Sequence, residues 1–174
     1  LIIKDDLYYR LKEFSQSEGI TINAILQYVW HKVLNIYGNS SQTVVGITVS
    51  GRNIPIDDIE NSVGLYINTL PLVIDHNAQK TRTIIKIIKE LQDNINEINN
   101  RSNINLAKLQ KRGERLFDSL FVYENYPNST NKEQLNRLKI SFKGSIEKLD
   151  YPLGIIAYEL NNQIAFRIKY AGEL

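Results

Sequence analysis

Residues 63–71, Val-Gly-Leu-Tyr-Ile-Asn-Thr-Leu-Pro, decide how the rest of this chain is interpreted. An apolar run over residues 65–74 predicts a strand, and Asn68 and Thr69 interrupt that run. A side-chain amide in such a strand must find partners, because an unsatisfied buried polar group costs about 1–3 kcal/mol. Asn68 is therefore predicted either to bond nearby backbone groups or to mark an irregular point in the strand.

Upstream of this stretch lies a segment rich in β-branched residues, 43–49, which predicts a buried strand. It ends at Ser50-Gly51-Arg52, where glycine permits a sharp exit from the strand. Arg52 is thereby delivered to one end of the sheet. Its five fixed donors suit either a carboxylate or several backbone carbonyls.

Downstream, the run Leu-Phe-Asp-Ser-Leu-Phe-Val-Tyr at 116–123 predicts another strand. Because side chains alternate along a strand, Ser119 and Tyr123 should share one face with Phe117 and Phe121. A polar linker at 127–134 and a strand at 138–146 are predicted next.

Helical spacing of apolar residues predicts three helices. The first is capped by Asp5 or Asp6 and ends near Gly19. The second starts after an N-terminal cap at Thr21 and runs to about Tyr37, with Gly38 as its stop. The third is long and amphipathic, and it begins at Thr81. A short helix is predicted at 105–112.

Two further strands, 154–160 and 164–170, complete the expected elements, and Asn161-Asn162 between them predicts a hairpin turn with positive φ. Helices and strands alternate early and strands cluster late. This order predicts the α/β class, with a mixed sheet and helices packed on one face.

Composition narrows the function. The chain has 174 residues, enough for one domain, and its net charge of +2 is too small to indicate a nucleic-acid surface. No apolar stretch is long enough for a membrane span, and the absence of cysteine excludes disulfides and thiolate metal sites. The absence of cysteine also fits a cytoplasmic protein. The chain contains no methionine and begins with Leu1, so we expect a piece of a longer protein.

The titratable residues offer no catalytic or metal centre. His31 lies inside the second helix and His76 in a loop, and both are interpreted as structural or solvated. Asp57, Asp58 and Glu60 lack His partners and calcium-loop spacing, so an acidic solvated loop is predicted and no metal.

Five blocks, in this order, resemble the C-terminal half of nonribosomal peptide synthetase condensation domains. They are Gly-Ile-Thr-Ile-Asn at 19–23, the strand and Ser-Gly-Arg at 44–52, the stretch 63–71, the stretch 116–127 ending Glu-Asn-Tyr-Pro, and Asp-Tyr-Pro-Leu at 150–153 with the strand 166–170. A departure occurs at Glu114-Arg115, where many members have Asn-Pro, so no role is carried over to that position.

The resemblance implies a chloramphenicol acetyltransferase-like fold of two similar halves with a substrate tunnel between them. Residues 1–174 would form the C-terminal subdomain as a single unit. The family's catalytic signature, His-His-x-x-x-Asp-Gly, belongs to the other half and is absent from this chain. No catalytic residue is therefore assigned, and the chain alone is predicted to be inactive.

The resemblance also implies roles for particular residues. Ser50, Gly51 and Arg52 begin a loop that floors the tunnel and touches the other half. An alternative for Arg52 is a structural salt bridge within this half. The remaining candidates for the tunnel wall or the floor loop are Asn68, Thr69, Ser119 and Tyr123.

The intact domain would join an amine on one carrier-bound substrate to a thioester on another. No bound cofactor is expected, although the phosphopantetheine arms of carrier domains would enter the tunnel. The implied partners are the N-terminal half, peptidyl carrier domains and an adjacent adenylation domain, in a bacterial cytoplasm, with no nucleic acid and no membrane. Two alternatives stay open: a noncatalytic carrier-binding or interaction module, and an epimerisation or other acyltransferase domain of the same fold.

Overall fold

The computed structural model describes residues 1–52, 56–59, 61–110, 113–125 and 150–172. Within these ranges lie six strands and four helices. In chain order they are β1 Ile2–Ile3, α1 Asp5–Glu18, α2 Ile22–Gly38, β2 Gln42–Val49, β3 Asn68–Asp75, α3 Ile84–Asn100, α4 Leu106–Leu109, β4 Ser119–Glu124, β5 Leu153–Leu160 and β6 Gln163–Tyr170. The predicted linker 127–134 and strand 138–146 lie outside the described residues.

The strands form one mixed sheet with the order β1-β6-β5-β4-β2-β3. Strands β2, β4 and β5 are parallel neighbours, while β3 and β6 pair antiparallel with β2 and β5. The carboxyl ends of the three parallel strands therefore lie at one edge of the sheet, which we call the carboxyl edge. The predicted α/β class with a mixed sheet is confirmed.

One face of the sheet carries the core. Alternate residues of β2, including Val45 and Ile47, pack against α2 and α3, where Ile25, Ile88 and Leu91 are buried. The hydrophobic stripe of α3 holds this helix over the sheet, because an amphipathic helix buries its apolar side. Helices thus cover one face of the sheet, as predicted.

Most helix ends follow the expected chemistry with small shifts. The predicted cap of α1 at Asp5 or Asp6 is wrong, because α1 already begins at Asp5 and Lys4 precedes it without a side-chain cap. The Thr21 hydroxyl accepts a hydrogen bond from Ala24 N–H at 3.1 Å, and Gly19 adopts the left-handed conformation that ends α1. Gly38, predicted as the stop of α2, is its last helical residue, and Asn39 (φ 45°) provides the left-handed cap. The third helix begins at Ile84, capped by Thr83, because the threonine hydroxyl accepts from Lys86 N–H.

The predicted start of β3 is wrong by three residues. Strand pairing begins where Asn68 faces Val49, and Leu65 lies outside the sheet with its side chain 92% exposed. The hairpin at Asn161-Asn162 is confirmed, with φ values of 52° and 58°. The two-residue strand β1 was not predicted, because two residues carry no periodicity.

The start of β4 also differs from the prediction. Pairing begins at Ser119, so Phe117 precedes the strand and leaves its alternation. The Phe117 ring stacks on Tyr151 and fills the space where a side chain at Gly46 would be, only 2.1 Å from an added Cβ. Gly46 is therefore required for close packing on the sheet face opposite the helices.

Candidate functional site

The residues singled out by sequence gather, with one exception, at the carboxyl edge. Ser50, Gly51 and Arg52 follow β2, Asn68 and Thr69 begin β3 beside them, and Tyr123 lies near the end of β4. Ligands of open α/β sheets usually bind beyond the carboxyl ends of the strands. This edge is therefore the candidate functional site.

The exception is Ser119, which begins β4 at the opposite edge of the sheet. It lies four positions before Tyr123, a distance of roughly 13 Å along a strand. Its hydroxyl is buried and accepts a hydrogen bond from the Trp30 indole N–H at 2.9 Å. That contact fixes α2 on the sheet and gives Ser119 a structural role in this half.

Arg52 organises the loop that follows β2. Its Nη1 donates to the carbonyl oxygens of Ile59 at 2.7 Å and Ser62 at 3.1 Å. The guanidinium also lies over the Tyr66 ring, 4.6 Å from its centre. The sequence left two kinds of partner open for Arg52, a carboxylate or several backbone carbonyls. The contacts with Ile59 and Ser62 are of the second kind.

Gly51 brings the two ends of the same loop together. Its φ of +62° lies in the left-handed region, and an added Cβ would sit 2.0 Å from the carbonyl oxygen of Tyr66. The Tyr66 hydroxyl in turn lies 2.6 Å from the Ser62 hydroxyl. Glycine is thus required here by both conformation and space.

The far side of this loop is apolar and uncovered by the described residues. Val63 is fully exposed, Leu65 is 92% exposed and Ile67 is 60% exposed. Three exposed apolar side chains within five residues are typical of a segment that contacts another protein surface.

Asn68 satisfies all of its polar side-chain atoms locally. Its Nδ2 donates to the carbonyl oxygens of Ser102 at 2.8 Å and Ile104 at 2.7 Å, and its Oδ1 accepts from Thr69 N–H at 2.8 Å. The amide therefore joins the start of β3 to the segment between α3 and α4. Asn68 therefore bonds backbone groups, as predicted, but its carbonyl partners are Ser102 and Ile104 and not residues of the loop after β2.

A second polar cluster at the carboxyl edge was not predicted from the sequence. The Glu159 carboxylate, with its side chain 8% exposed, accepts hydrogen bonds from Tyr8 (2.8 Å), Lys12 (3.0 Å) and Tyr123. Glu159 and Tyr8 are 151 positions apart in the chain, so no local pattern announces their contact. The cluster joins α1 to the ends of β4 and β5.

The ionisation of the cluster follows from its bonds. Burial alone would raise the pKa of Glu159, but the bonds from Tyr123, Lys12 and Tyr8 outweigh it and hold this pKa below the ordinary value. The bond to Glu159 raises the pKa of Lys12 against the opposing effect of burial, and burial raises the pKa of Tyr123. At neutral pH the cluster is an ion pair with two neutral phenols, unsuited to act as a general base.

A cavity of about 540 Å³ opens beside this cluster. It lies between the end of α1, the start of α2 and the end of α3, and its lining includes Asn23, Asn96, Tyr123 and Glu159. The position of Tyr123 in this lining brings the predicted tunnel residue next to a space that can hold a polar ligand.

The two histidines meet at the opposite edge of the sheet. Thr43 Oγ1 lies 2.6 Å from Nδ1 of His31 and 2.9 Å from Nε2 of His76. The hydroxyl has one proton and can donate to one ring only, so the other ring must donate its N–H to the hydroxyl oxygen. Both rings are buried, and the interpretation as structural rather than catalytic residues holds.

Burial lowers the pKa of His31 to about 3, with a further contribution from His76. Burial also lowers the pKa of His76, assisted by Lys32 and opposed by Asp75. Both rings are therefore neutral at pH 7.

Among the described residues, no group of three or more His, Asp or Glu side chains is arranged to hold a metal ion. In that same part of the chain, no helix combines the length and the apolar character needed to cross a membrane.

Comparisons of this chain with known proteins, by sequence and by structure, point to the same family. A family model described as Condensation domain matches residues 1–174. The chain is 47% identical over 171 residues to N-(5-amino-5-carboxypentanoyl)-L-cysteinyl-D-valine synthase of Penicillium rubens, covering 94% of this chain and 5% of the relative. It is 40% identical over 181 residues to the synthase of the same name from Amycolatopsis lactamdurans, covering 100% of this chain and 5% of that relative.

Two solved structures extend the match to the fold. The condensation domain from the Monacolin K polyketide synthase MokA superposes with a TM-score of 0.75 at 17% identity, and the X-domain from teicoplanin biosynthesis with 0.80 at 17% identity. In both cases 99% of this chain covers 41% of the other chain.

The chain thus spans about 5% of the length of these curated relatives and less than half of the matching structures. The relatives come from a fungus and a bacterium, so the expected bacterial source stays a prediction. The five sequence blocks, the fold and the full-length family match agree: this chain belongs to the condensation domain family.

Proposed function

We propose that the chain is the C-terminal half of a condensation domain, which forms amide bonds between carrier-bound aminoacyl or peptidyl thioesters in nonribosomal peptide synthesis. The observation that carries this proposal is the family match over residues 1–174 combined with coverage of only 41% of a condensation-domain structure. The catalytic signature of the family is absent from the sequence. This half would therefore supply surfaces that position substrates, and the other half would supply the catalytic histidines.

The loop at 50–67 fits the role of the tunnel floor. Arg52 and Gly51 hold its base, while Val63 and Leu65 present an apolar surface. We assign that surface to contact with the N-terminal half. Tyr123 and the cavity beside it are assigned to the tunnel wall, whereas Ser119 is removed from the set of tunnel residues because it lies at the other edge.

The partners follow from the reaction. Two carrier domains would present their substrates on phosphopantetheine arms, and an adenylation domain would load one of them. Holding both arms in one tunnel makes the attack of the amine on the thioester effectively intramolecular. This can remove a large part of the activation free energy. A cytoplasmic location is part of the same proposal.

A reconstitution experiment tests the proposal. Two loaded carrier proteins are incubated with this chain alone, and then with this chain plus a separately produced N-terminal half that contains His-His-x-x-x-Asp-Gly. We expect dipeptidyl carrier product, detected by intact-protein mass spectrometry, only in the second reaction. Product from the chain alone would overturn the assignment to a half-domain. A combination that binds but makes no product with any pair of loaded carriers would favour the noncatalytic module.

A matched pair of variants tests the floor loop in the active combination. Arg52→Ala removes the bonds that hold the loop and is expected to slow product formation about tenfold or more, as loss of positioning does. Lys80→Ala changes an exposed cation after β3 at the opposite edge and should leave the rate unchanged. Equal rates for both variants would remove the loop from the proposed tunnel.

A further inference from the structure

Strand β3 is the outermost strand of the sheet and, among the described residues, pairs only with β2. Its other lateral side, which is distinct from the carboxyl edge formed by the strand ends, is an edge whose backbone groups could bond to another strand. Such edges are sites of unwanted pairing between protein copies unless they are blocked.

The register shows which backbone groups point outward. His76 N–H donates to Ser41 O at 2.8 Å, one step beyond the pair Gln42–Asp75. In an antiparallel ladder, hydrogen-bonded pairs alternate with non-bonded pairs. The residues of β3 that bond to β2 are therefore Asn68, Leu70, Leu72 and Ile74, and those that face the free edge are Thr69, Pro71, Val73 and Asp75.

Two of the four outward positions offer no free donor. Thr69 N–H is already bonded to the Asn68 side chain at 2.8 Å. Pro71 has no backbone N–H, and proline in a sheet is largely confined to edge strands for this reason. The two blocked positions are adjacent outward-facing positions of β3. A second strand would therefore find no backbone N–H to bond over the first half of β3.

Asn68 closes the edge in a second way. Its Nδ2 binds the carbonyl oxygens of Ser102 and Ile104, which holds the segment between α3 and α4 beside the start of β3. Arg101 and Ile104 of that segment, together with Leu109, line a groove of about 330 Å³ along residues 70–73 of β3. A pairing strand would have to displace the bonds of Asn68.

We propose that Asn68 and Pro71 protect the β3 edge from pairing with a second copy of this chain. The competing partner is another copy because antiparallel pairing of β3 with itself is symmetric, so every donor that is freed forms two bonds in the dimer. The stretch 63–71, which helps to identify the family, thus has a role separate from chemistry. Its Asn68 and Pro71 keep the chain monomeric by blocking the open side of β3.

Three variants test the proposal by sedimentation velocity over a wide concentration range, with the unaltered chain as baseline. Asn68→Ala frees Thr69 N–H, and Pro71→Val adds a donor at the neighbouring position. Each is expected to tighten self-association about tenfold, since each adds two hydrogen bonds per dimer. The double variant Asn68→Ala, Thr69→Pro removes the freed donor again and should associate more weakly than Asn68→Ala, although the bonds of Asn68 to Ser102 and Ile104 stay lost.

Circular dichroism and urea midpoints identify variants that remain folded at the concentrations used. Folded Asn68→Ala and Pro71→Val chains that associate no more tightly than the baseline would overturn the proposal. Association of Asn68→Ala that Thr69→Pro does not weaken would also overturn it, because the contact would then not use the freed Thr69 N–H. If Asn68→Ala does not fold, Pro71→Val alone decides between the two outcomes.

Discussion

The buried histidine pair predicts a loss of stability in mild acid. The pKa of His31 is about 3 in the folded chain and 6.5 ordinarily. Between these values the unfolded chain binds a proton at this site and the folded chain does not, so the free energy of unfolding falls as the pH falls. Each pH unit in this window costs about 1.4 kcal/mol for one such group.

From pH 6.5 to pH 5 the expected loss from His31 alone is therefore about 2 kcal/mol. His76 adds to it in the same direction, because its pKa is lowered too. Carboxylates such as Glu159 contribute little above pH 5, since their proton uptake begins at lower pH. The total is a large part of the stability of a small domain.

Urea unfolding followed by circular dichroism at several values between pH 7 and pH 5 measures this slope. The matched variant is His31→Asn, whose amide nitrogen or oxygen can reach Thr43 from the position of the ring Nδ1 but does not titrate. It is expected to be less stable at pH 7 and to lose about 2 kcal/mol less on acidification than the unaltered chain. An equal slope in both proteins, or a His31 ring that titrates near 6.5 by NMR, would show that His31 does not cause the loss of stability.

Two further predictions concern the carboxyl edge. Gly51→Ala should destabilise the chain by about 2 kcal/mol or more, because it combines left-handed strain with a contact on Tyr66, whereas Gly19→Ala has the strain without the contact and should cost only about 1 kcal/mol. Both costs are read from urea unfolding, and equal losses would contradict the role of the Tyr66 contact. Glu159→Ala should cost about 2–3 kcal/mol at pH 7, since three donors lose a buried charged partner, and Glu159→Gln should cost less because its amide oxygen still accepts. Equal losses for these two variants would show that the hydrogen bonds contribute little.

Local patterns predicted what depends on local forces. The capping threonine at Thr21, the left-handed glycine at Gly19 and the positive φ at Asn161-Asn162 are all decided within a few residues, and the structure has each of them. The start of β4 was missed because the stacking of Phe117 on Tyr151 decides it, and these residues are far apart in the chain.

The candidate site was predictable only in part for the same reason. Arg52 could be placed at a sheet end because the strand before it is recognisable. Glu159 could not, because its burial depends on how α1 lies across the strand ends, and a Glu beside a hairpin turn ordinarily faces solvent. Likewise, His31 and His76 lack any sequence pattern that relates them, and Thr43 brings them together only in the folded sheet.

Three separate groups of hydrogen bonds fix the backbone at the carboxyl edge. They are the carbonyl contacts of Arg52, the three hydrogen bonds of Asn68, and the Glu159 cluster. None of them leaves an acid, a base or a nucleophile free to react at neutral pH, and each fixes the end of a different element. Under the proposed function, these three groups contribute to the reaction by positioning what binds to the carboxyl edge. Under the proposed function, variants at this edge should therefore weaken catalysis through geometry, while the chemistry itself follows the protonation of histidines in the other half.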